Sequence, residues 1–411
     1  MPDAGVIAPQ RAAIAFILGT VVLDVLAFGL IVPVLPLLIQ SFHGSDIASA
    51  AVTYGVFATA WALMQFLWSP LMGVLSDRFG RRPVLLISLV GLGLDYVLMA
   101  IAPTLAWLFI GRVISGITAA TYSTAAAYVT DVTPRDKRAA AYGYIGAAWG
   151  IGFVVAPAMG GLLGQWHPRL PFWVAAVLTL ANALYGWFVV PESLPLESRN
   201  TFSWRRANPF GSLLLIRARR GLASLFTMQT FHTIAQFSLP SVFVLYATHR
   251  YGWSLVQIGW TLGFVGVCTA VVQGVLIGPL VRRLGERRSV LAGLVAETIG
   301  YAGYAFAPNG GWFLAAIPFG AFGGLYSAAS QTLMAHRVRA EEQGELQGAS
   351  SSLMGLAGIV GPGIFSGSFA FALAAIGARL PGLPFLIAAL MTAAAFAVAL
   401  TATRPQHEYV V

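Results

Sequence analysis

Twelve apolar runs, each about 20 residues or longer, constrain the fold of this chain more than any other feature. Hydrophobic residues make up 58% of the sequence and charged residues only 9%, whereas a water-soluble domain carries roughly 25% charged residues. Backbone polar groups in lipid must be satisfied within their own segment, so the runs are predicted to be helices. We therefore predict an all-α membrane protein with twelve spans, near residues 12–40, 51–75, 83–102, 105–129, 139–163, 170–190, 221–247, 255–280, 289–307, 311–335, 346–373 and 381–402.

Several other classes of protein are excluded by what the sequence lacks. The alternating segments of about 10 residues that mark a membrane β-barrel are not seen. The first span is too long, and too rich in proline and polar groups, for a cleaved signal peptide. The single cysteine, Cys268, lies within a predicted span, so no intramolecular disulfide can form. The sequence contains no HExxH motif, nucleophile elbow or phosphate-binding loop, so an enzyme is not expected.

The net charge of +9 is explained by membrane topology and not by nucleic-acid binding. Twenty of the 24 basic residues fall on one side of the predicted spans, counting both chain ends, and only Arg169, Arg250 and Arg379 fall on the other. Because basic loops remain on the cytoplasmic side, both termini are predicted to be cytoplasmic.

The chain divides into two similar halves. A polar stretch at 191–220 separates six spans from six, which predicts an N-terminal bundle at 1–190, a cytoplasmic linker, and a C-terminal bundle at 221–411. Residues of the halves match at an offset of 205, and "GVLSDRFGRRPVLL" at 73–86 is repeated as "GPLVRRLGERRSVL". Internal repeats of this kind are typical of secondary transporters, which bind substrate between their halves.

Three motifs resemble the major facilitator superfamily: the loop at 73–86, "LFIGRVISGITAA" at 108–120 and "GIGFVVAPAMGG" at 150–161. The last is similar to the fifth-helix motif of its drug/proton antiporters. "LDVLAFGLIVPVLP" in the first span and "EQGELQGASSSLMGLAGIVGP" in the eleventh resemble the tetracycline/proton antiporters more narrowly. The resemblance implies the major facilitator fold, with two six-helix bundles related by a pseudo-twofold axis.

Ionisable groups within spans are costly, so each is a candidate for function. Asp95 and Glu297 are predicted to be proton-coupling carboxylates, with a buried structural carboxyl as the alternative for Asp95. The family's matching ninth-helix acid is an aspartate, so Glu297 departs from the pattern. The resemblance also implies proton-coupling roles for Asp24 and Arg112, against the alternative of a structural ion pair.

The predicted substrate-binding residues are polar or aromatic side chains within the spans. His232 can titrate near neutral pH, although a lone helix histidine is more often structural. The resemblance places a family histidine at Thr269, where it is missing, and a family glutamine at Gln273. The full set is Gln65, Tyr96, Gln229, His232, Gln236, Thr269 and Gln273.

The predicted gating residues lie in the cytoplasmic loops and on the fifth span. A carboxylate such as Asp77 suits a helix N-terminus or an arginine, and the resemblance assigns it to a lock on the cytoplasmic side. Small residues on the fifth span suit a rocking interface, with simple helix packing as the alternative. The full set is Gly73, Asp77, Arg78, Gly80, Arg81, Asp131, Arg138, Pro157 and Gly161.

These features favour a proton-driven exporter of an amphipathic, drug-like compound, with a tetracycline as the first candidate by resemblance. The alternative is a proton symporter that imports an organic anion or nutrient. The expected partners are the substrate, protons and the lipid bilayer, without nucleic acid, and the protein is expected to be a monomer. No cofactor or resident metal is expected, although the substrate can arrive as a divalent-metal chelate.

Overall fold

The structure is a computed structural model, and all its regular elements are helical within the residues that it describes, which are 4–119, 121–134, 137–204, 208–211, 222–375 and 380–403. The first half contains α1 (Ala4–Ile31), α2 (Leu35–His43), α3 (Ile47–Phe79), α4 (Arg81–Ile101), α5 (Leu105–Thr118), α6 (Thr121–Val132), α7 (Arg138–Trp166) and α8 (Leu170–Val189). The second half contains α9 (Leu222–Gln236), α10 (Ser238–Tyr251), α11 (Leu255–Val271), α12 (Ile277–Leu284), α13 (Glu286–Phe306), α14 (Gly310–Ala321), α15 (Gly323–Ala335), α16 (Gln343–Ala375) and α17 (Leu383–Ala402).

The prediction of an all-α membrane protein is confirmed. Ten described helical segments are long and apolar enough to cross a membrane. The two other predicted spans, 105–129 and 221–247, are each built from two shorter helices, α5 with α6 and α9 with α10. A π-helical turn at Val272–Leu276 joins α11 to α12, and the prolines of the first span lie where α1 gives way to α2.

The chain forms two compact units, and two short segments belong to the unit of the opposite sequence half. Unit 1 consists of Met1–Asp46, Ala60–Pro209 and Trp253–Gly266, and unit 2 consists of Ile47–Thr59, Phe210–Gly252 and Val267–Val411. The start of α3 is therefore part of unit 2, and most of α11 is part of unit 1. The division at the linker into 1–190 and 221–411 stays a prediction.

Each unit has its own apolar core. In unit 1, α1 packs on α7 and α8, and α4 packs on α5, α6 and α8. Val21 and Val25 on α1 and Leu85 and Leu89 on α4 belong to its core, and each pair has the four-residue spacing that places side chains on one helix face. In unit 2, α13 packs on α14, α15 and α17, and α9 packs on α16 and α17. Lipid is as apolar as these cores, so close van der Waals packing stabilises them.

The sequence repeat is reproduced in backbone geometry. Gly80 precedes α4 with φ of 106°, and Gly285 precedes α13 with φ of 75°, a region that L-residues avoid. The helices that follow end in the same way, at Ala102 with φ −52° and ψ 116° and at Ala307 with φ −53° and ψ 116°. Helices α4 and α13 therefore begin and end with similar backbone conformations.

Candidate functional site

Unit 1 contains a cavity of about 100 Å³ between α1, α3, α4, α5 and α7. Its wall combines one carboxylate with four aromatic rings and a glutamine. The lining residues are Asp24, Val25, Phe28, Trp61, Gln65, Leu92, Tyr96, Ser115, Ala119 and Trp149. Three residues singled out from the sequence, Asp24, Gln65 and Tyr96, thus meet in one pocket.

Asp24 is the acidic residue of this cavity. It lies on α1, two helical turns before the break at Pro33. Its Oδ1 is buried and accepts no hydrogen bond from any residue that the structure describes. A buried carboxylate oxygen without a donor is costly, so Asp24 favours a proton or a cationic ligand from the cavity.

Asp95 does not line this cavity but lies behind its wall, between α4 and α5, with 1% of its surface exposed. Gly111 leaves the space for it, since a Cβ there would be 2.7 Å from Asp95 Oδ1. Arg112 acts electrostatically on this carboxylate, and both of its oxygens are buried without a hydrogen bond from the residues that the structure describes. The Arg112 guanidinium also lies over the ring of Trp61, 5.3 Å from its centroid. Asp95 and Arg112 therefore form an electrostatic pair next to the cavity.

Unit 2 contains a second buried polar cluster, centred on Glu297 of α13. His232 Nδ1 is 2.9 Å from Glu297 Oε2, and the Gln236 Nε2 donates to Glu297 Oε1 at 2.5 Å. His232 and Gln236 share one face of α9 because they are four residues apart. Glu297 is 1% exposed and His232 is 5% exposed.

Neighbouring helices enclose this cluster. The Tyr326 ring of α15 lies 3.9 Å from the His232 ring, centroid to centroid. Gly323, at the start of α15, leaves room for the carboxyl, since a Cβ there would be 3.0 Å from it. Tyr301 lies one turn after Glu297 and interacts with it electrostatically. The cluster can hold a proton on either the carboxyl or the imidazole, because both are titratable and directly hydrogen-bonded.

The three remaining predicted substrate-binding residues, Gln229, Thr269 and Gln273, lie at different places relative to the Glu297 cluster. Gln229 lies on α9 one turn before His232, and its buried Oε1 accepts no hydrogen bond from the described residues. Thr269 is half-buried on α11, and Gln273 is exposed in the π-helical turn. Gln229 therefore lies one turn from His232 on the same helix, and Gln273 lies beside Gly324 of α15, with its Cγ 3.3 Å from the position of a Cβ there.

Arg81 is the centre of the charged loop between α3 and α4. Its guanidinium contacts Asp77 at 2.6 Å and Asp131 at 3.0 Å, which joins two of the predicted gating residues. Arg78 instead lies over the ring of Phe79, and Arg138 donates to the Thr133 carbonyl at 3.1 Å. Gly73 has open space around it.

Glu192, which sequence reasoning missed, caps the N-terminus of α4. Its carboxylate accepts from the backbone N–H of Arg81 at 2.8 Å and of Arg82 at 3.3 Å. Gly80 makes this approach possible, because any Cβ there would overlap the Glu192 carboxylate. The available signal was that α4 has no acidic residue in its first turn, so its free N–H groups required an acceptor from elsewhere.

The fifth-span glycines allow very close helix contacts within unit 1. A Cβ at Gly160 would overlap the Leu30 carbonyl, and one at Gly161 would overlap the Leu255 carbonyl of α11. Pro157 lies in the same surface, and its carbonyl is 2.5 Å from the position of a Cβ on Gly259. The predicted small-residue surface of α7 therefore packs on α1 and α11.

The major facilitator superfamily model matches residues 17–362, with a second match over 225–410. The chain belongs to the major facilitator superfamily. It is 39% identical to the class C tetracycline resistance protein of Escherichia coli over 358 residues, covering 87% of this chain and 90% of that protein. It is 34% identical to the class B protein of Escherichia coli over 84% of this chain and 85% of that protein. The predicted resemblance to tetracycline/proton antiporters is thus confirmed, and the protein is an integral membrane transporter.

Solved structures show the same fold at low sequence identity. A nucleoside transporter superposes with a TM-score of 0.77 at 13% identity, covering 95% of this chain and all of that chain. The D-xylose–proton symporter superposes with a TM-score of 0.73 at 19% identity, covering 95% and 98%. The major facilitator fold predicted from the sequence is confirmed.

Proposed function

We propose that this transporter is a proton-coupled antiporter that exports a tetracycline-type compound from the cytoplasm by alternating access. The observation that carries the proposal is Glu297, a carboxyl that is 1% exposed within an apolar helix and hydrogen-bonded to His232. An ionisable group so placed is expensive to insert, and such groups mark proton pathways in transporters. The names of the tetracycline resistance proteins that this chain resembles supply the candidate substrate.

Proton exchange at the unit 2 cluster follows from its hydrogen bonds. When Glu297 is ionised, the Nδ1–H of His232 donates to it. When Glu297 carries a proton and the imidazole has shifted its own proton from Nδ1 to Nε2, the carboxyl O–H donates to Nδ1 instead. The cluster can therefore load and release one proton while it keeps the hydrogen bond between the carboxyl and the imidazole, whose loss would be costly for buried groups.

The orientation in the membrane is part of the same proposal. Basic residues concentrate in the loops on one side of the spans, so the positive-inside rule places both termini in the cytoplasm. In a bacterial host the chain would lie in the inner membrane. The substrate can arrive as a divalent-metal chelate, in which case the metal is cargo.

Transport in proteoliposomes tests the proposal. With the lumen at about pH 6 and the outside at about pH 8, an antiporter accumulates labelled tetracycline with Mg²⁺ in the lumen, in either protein orientation. A two-unit gradient corresponds to about 2.7 kcal/mol, or about 100-fold accumulation for one-for-one electroneutral exchange. Accumulation only when the outside is acidic would show symport, and no accumulation in either direction would overturn the proposal.

Substitution of Glu297 gives the matched comparison. Glu297→Gln is expected to abolish uphill accumulation while leaving exchange of labelled for unlabelled substrate. Glu286→Gln in the first turn of the same helix is the control: this half-buried carboxylate lies 3.6 Å from His336 Nδ1, away from the cluster, and the variant is expected to accumulate normally. Normal accumulation by Glu297→Gln would remove this residue from the coupling step.

A further inference from the structure

His232 contacts both a carboxylate and an aromatic ring inside unit 2. Its Nδ1 is 2.9 Å from Glu297 Oε2. The ring of Tyr326 is 3.9 Å from the imidazole between centroids, and the two rings are tilted by 39°. Aromatic rings attract a positive charge that lies within about 6 Å of their centroid. The imidazole therefore has a counter-ion and a cation-binding ring in contact with it, which are the surroundings of a positively charged histidine.

Close packing of α13 on α15 fixes the Tyr326 ring in this place. A Cβ on Gly293 would lie 2.5 Å from the Tyr326 backbone nitrogen, so a glycine is required there for the two helices to approach this closely. Tyr326 is 1% exposed, and its hydroxyl has no hydrogen-bond partner among the residues that the structure describes. A buried hydroxyl without a partner costs stability. Tyr326 therefore contributes to the cluster through its ring and not through its hydroxyl.

Both carboxylate oxygens of Glu297 already accept a hydrogen bond when the group is ionised. His232 Nδ1–H donates to Oε2, and Gln236 Nε2 donates to Oε1. A proton added to Oε1 displaces the Gln236 donor, and a proton added to Oε2 requires the imidazole first to shift its own proton to Nε2. A proton added to Nε2 of His232 leaves both hydrogen bonds in place. The pair is then an imidazolium beside a carboxylate, and its two buried charges are paired.

We propose that the coupling proton binds to Nε2 of His232 while Glu297 remains ionised, and that Tyr326 is a positioning residue whose ring holds the imidazole against Glu297 and stabilises the imidazolium. Loading adds one proton from water to Nε2, and release returns that proton to water, without any bond change at the carboxyl. Glu297 is then the fixed counter-ion of the proton carrier. That this proton drives export rests on the proposed antiport, whereas its binding to His232 does not.

Few other ionisable groups surround this pair. On α13 the charged residues 286–288 lie more than two turns before Glu297. Helices α14 and α17 have no ionisable residue, α16 has only Glu345 in its exposed first turn, and those of α10 begin at Tyr246, more than two turns from its start. Tyrosine titrates near pH 10 in water and is neutral over the range used below. The side chains that interact electrostatically with Glu297 are Tyr301, Tyr304 and Tyr326.

Solid-state NMR of the full-length protein in lipid vesicles, with isotope-labelled histidine, tests the proposal directly. The chain has six histidines, and the His232 signal is assigned by its loss in His232→Gln. Between about pH 9 and about pH 5 we expect this signal to change from that of a neutral imidazole to that of an imidazolium. Infrared difference spectra over the same range are expected to show no protonated-carboxyl band that Glu297→Gln removes.

Variants at Tyr326 separate the ring from the hydroxyl. Tyr326→Leu removes the ring, and the change in the His232 signal is expected to move by about one pH unit toward acid, because the imidazolium loses its cation–π contact. Tyr326→Phe keeps the ring and is the matched control, which is expected to titrate like the wild type. If Tyr326→Leu does not fold, Tyr326→Met removes the ring with less loss of volume and has the same expected shift.

Four results would overturn the inference. They are a neutral His232 signal throughout the pH range, a protonated-carboxyl band from Glu297, equal titration of the wild type and the variant without the ring, and a shift in Tyr326→Phe as large as in that variant. These outcomes are separate from those of the antiport test. Proton-driven tetracycline accumulation with a neutral His232 would remove only this inference. An imidazolium at His232 in a protein that accumulates nothing would instead remove only the antiport.

Discussion

His232 and Glu297 form a buried pair, 2.9 Å apart between Nδ1 and Oε2, although 65 positions separate them in the chain. Both side chains are almost fully enclosed within unit 2, and Gln236 occupies the second carboxylate oxygen. A single substitution in such a pair leaves a buried polar group unpaired, whereas removal of both partners does not.

A double-mutant cycle on this pair is expected to give a coupling free energy of about 1–2 kcal/mol. The variants are His232→Gln, Glu297→Gln and the double variant, and the free energy of unfolding is measured by SDS titration in mixed micelles. The double variant should be more stable than the sum of the single changes implies. Additive effects within error would show that the two side chains do not stabilise each other.

Glu192→Ala is expected to destabilise the protein by about 1–2 kcal/mol, because two N–H groups at the start of α4 lose their carboxylate acceptor. Thermal denaturation in detergent measures the effect. Glu197→Ala, five residues further along the same segment but exposed, is the control and should change stability by less than about 0.5 kcal/mol. Equal melting temperatures for the two variants would contradict the capping role.

Alanine at Gly80 is expected to be more destabilising than alanine at Gly285. Both glycines have positive φ, so each substitution adds backbone strain of about 1–2 kcal/mol. At Gly80 the new Cβ also overlaps the Glu192 carboxylate, whereas at Gly285 nothing lies within 4 Å. Gly80→Ala should therefore lower the free energy of unfolding by about 1–3 kcal/mol more than Gly285→Ala does. Titration with SDS measures both free energies. A smaller decrease for Gly80→Ala than for Gly285→Ala would contradict the close contact with Glu192.

Two glycines of α7 provide a similar comparison. Gly161→Ala pushes against the Leu255 carbonyl of α11 and is expected to cost about 1–3 kcal/mol. Gly150→Ala in the same helix meets nothing within 4 Å and should gain up to about 1 kcal/mol from helix propensity. The melting temperatures should therefore move in opposite directions. A melting temperature of Gly161→Ala at or above that of Gly150→Ala would show that α7 and α11 do not pack this closely.

The sequence by itself determined the class of fold, because the signals for it are local. An apolar run of sufficient length must be a helix in lipid. The repeat at an offset of 205 residues could be recognised from glycines and loop charges that match between the two halves. The structure reproduces that repeat at Gly80 and Gly285. The hydropathy pattern also identified Asp24, Asp95 and Glu297 as candidate functional residues, because an ionisable group within an apolar span is costly and therefore rare.

Only the tertiary structure decided which of these groups meet. His232 pairs with Glu297, Glu192 caps a helix that begins 111 residues earlier, and Asp95 lies behind the cavity wall while Asp24 lines it. Such pairings depend on how each helix is rotated about its axis and how closely its neighbour approaches. Those quantities are set by packing between distant segments, and in a chain whose spans are apolar on every side the hydrophobic pattern carries little information about them.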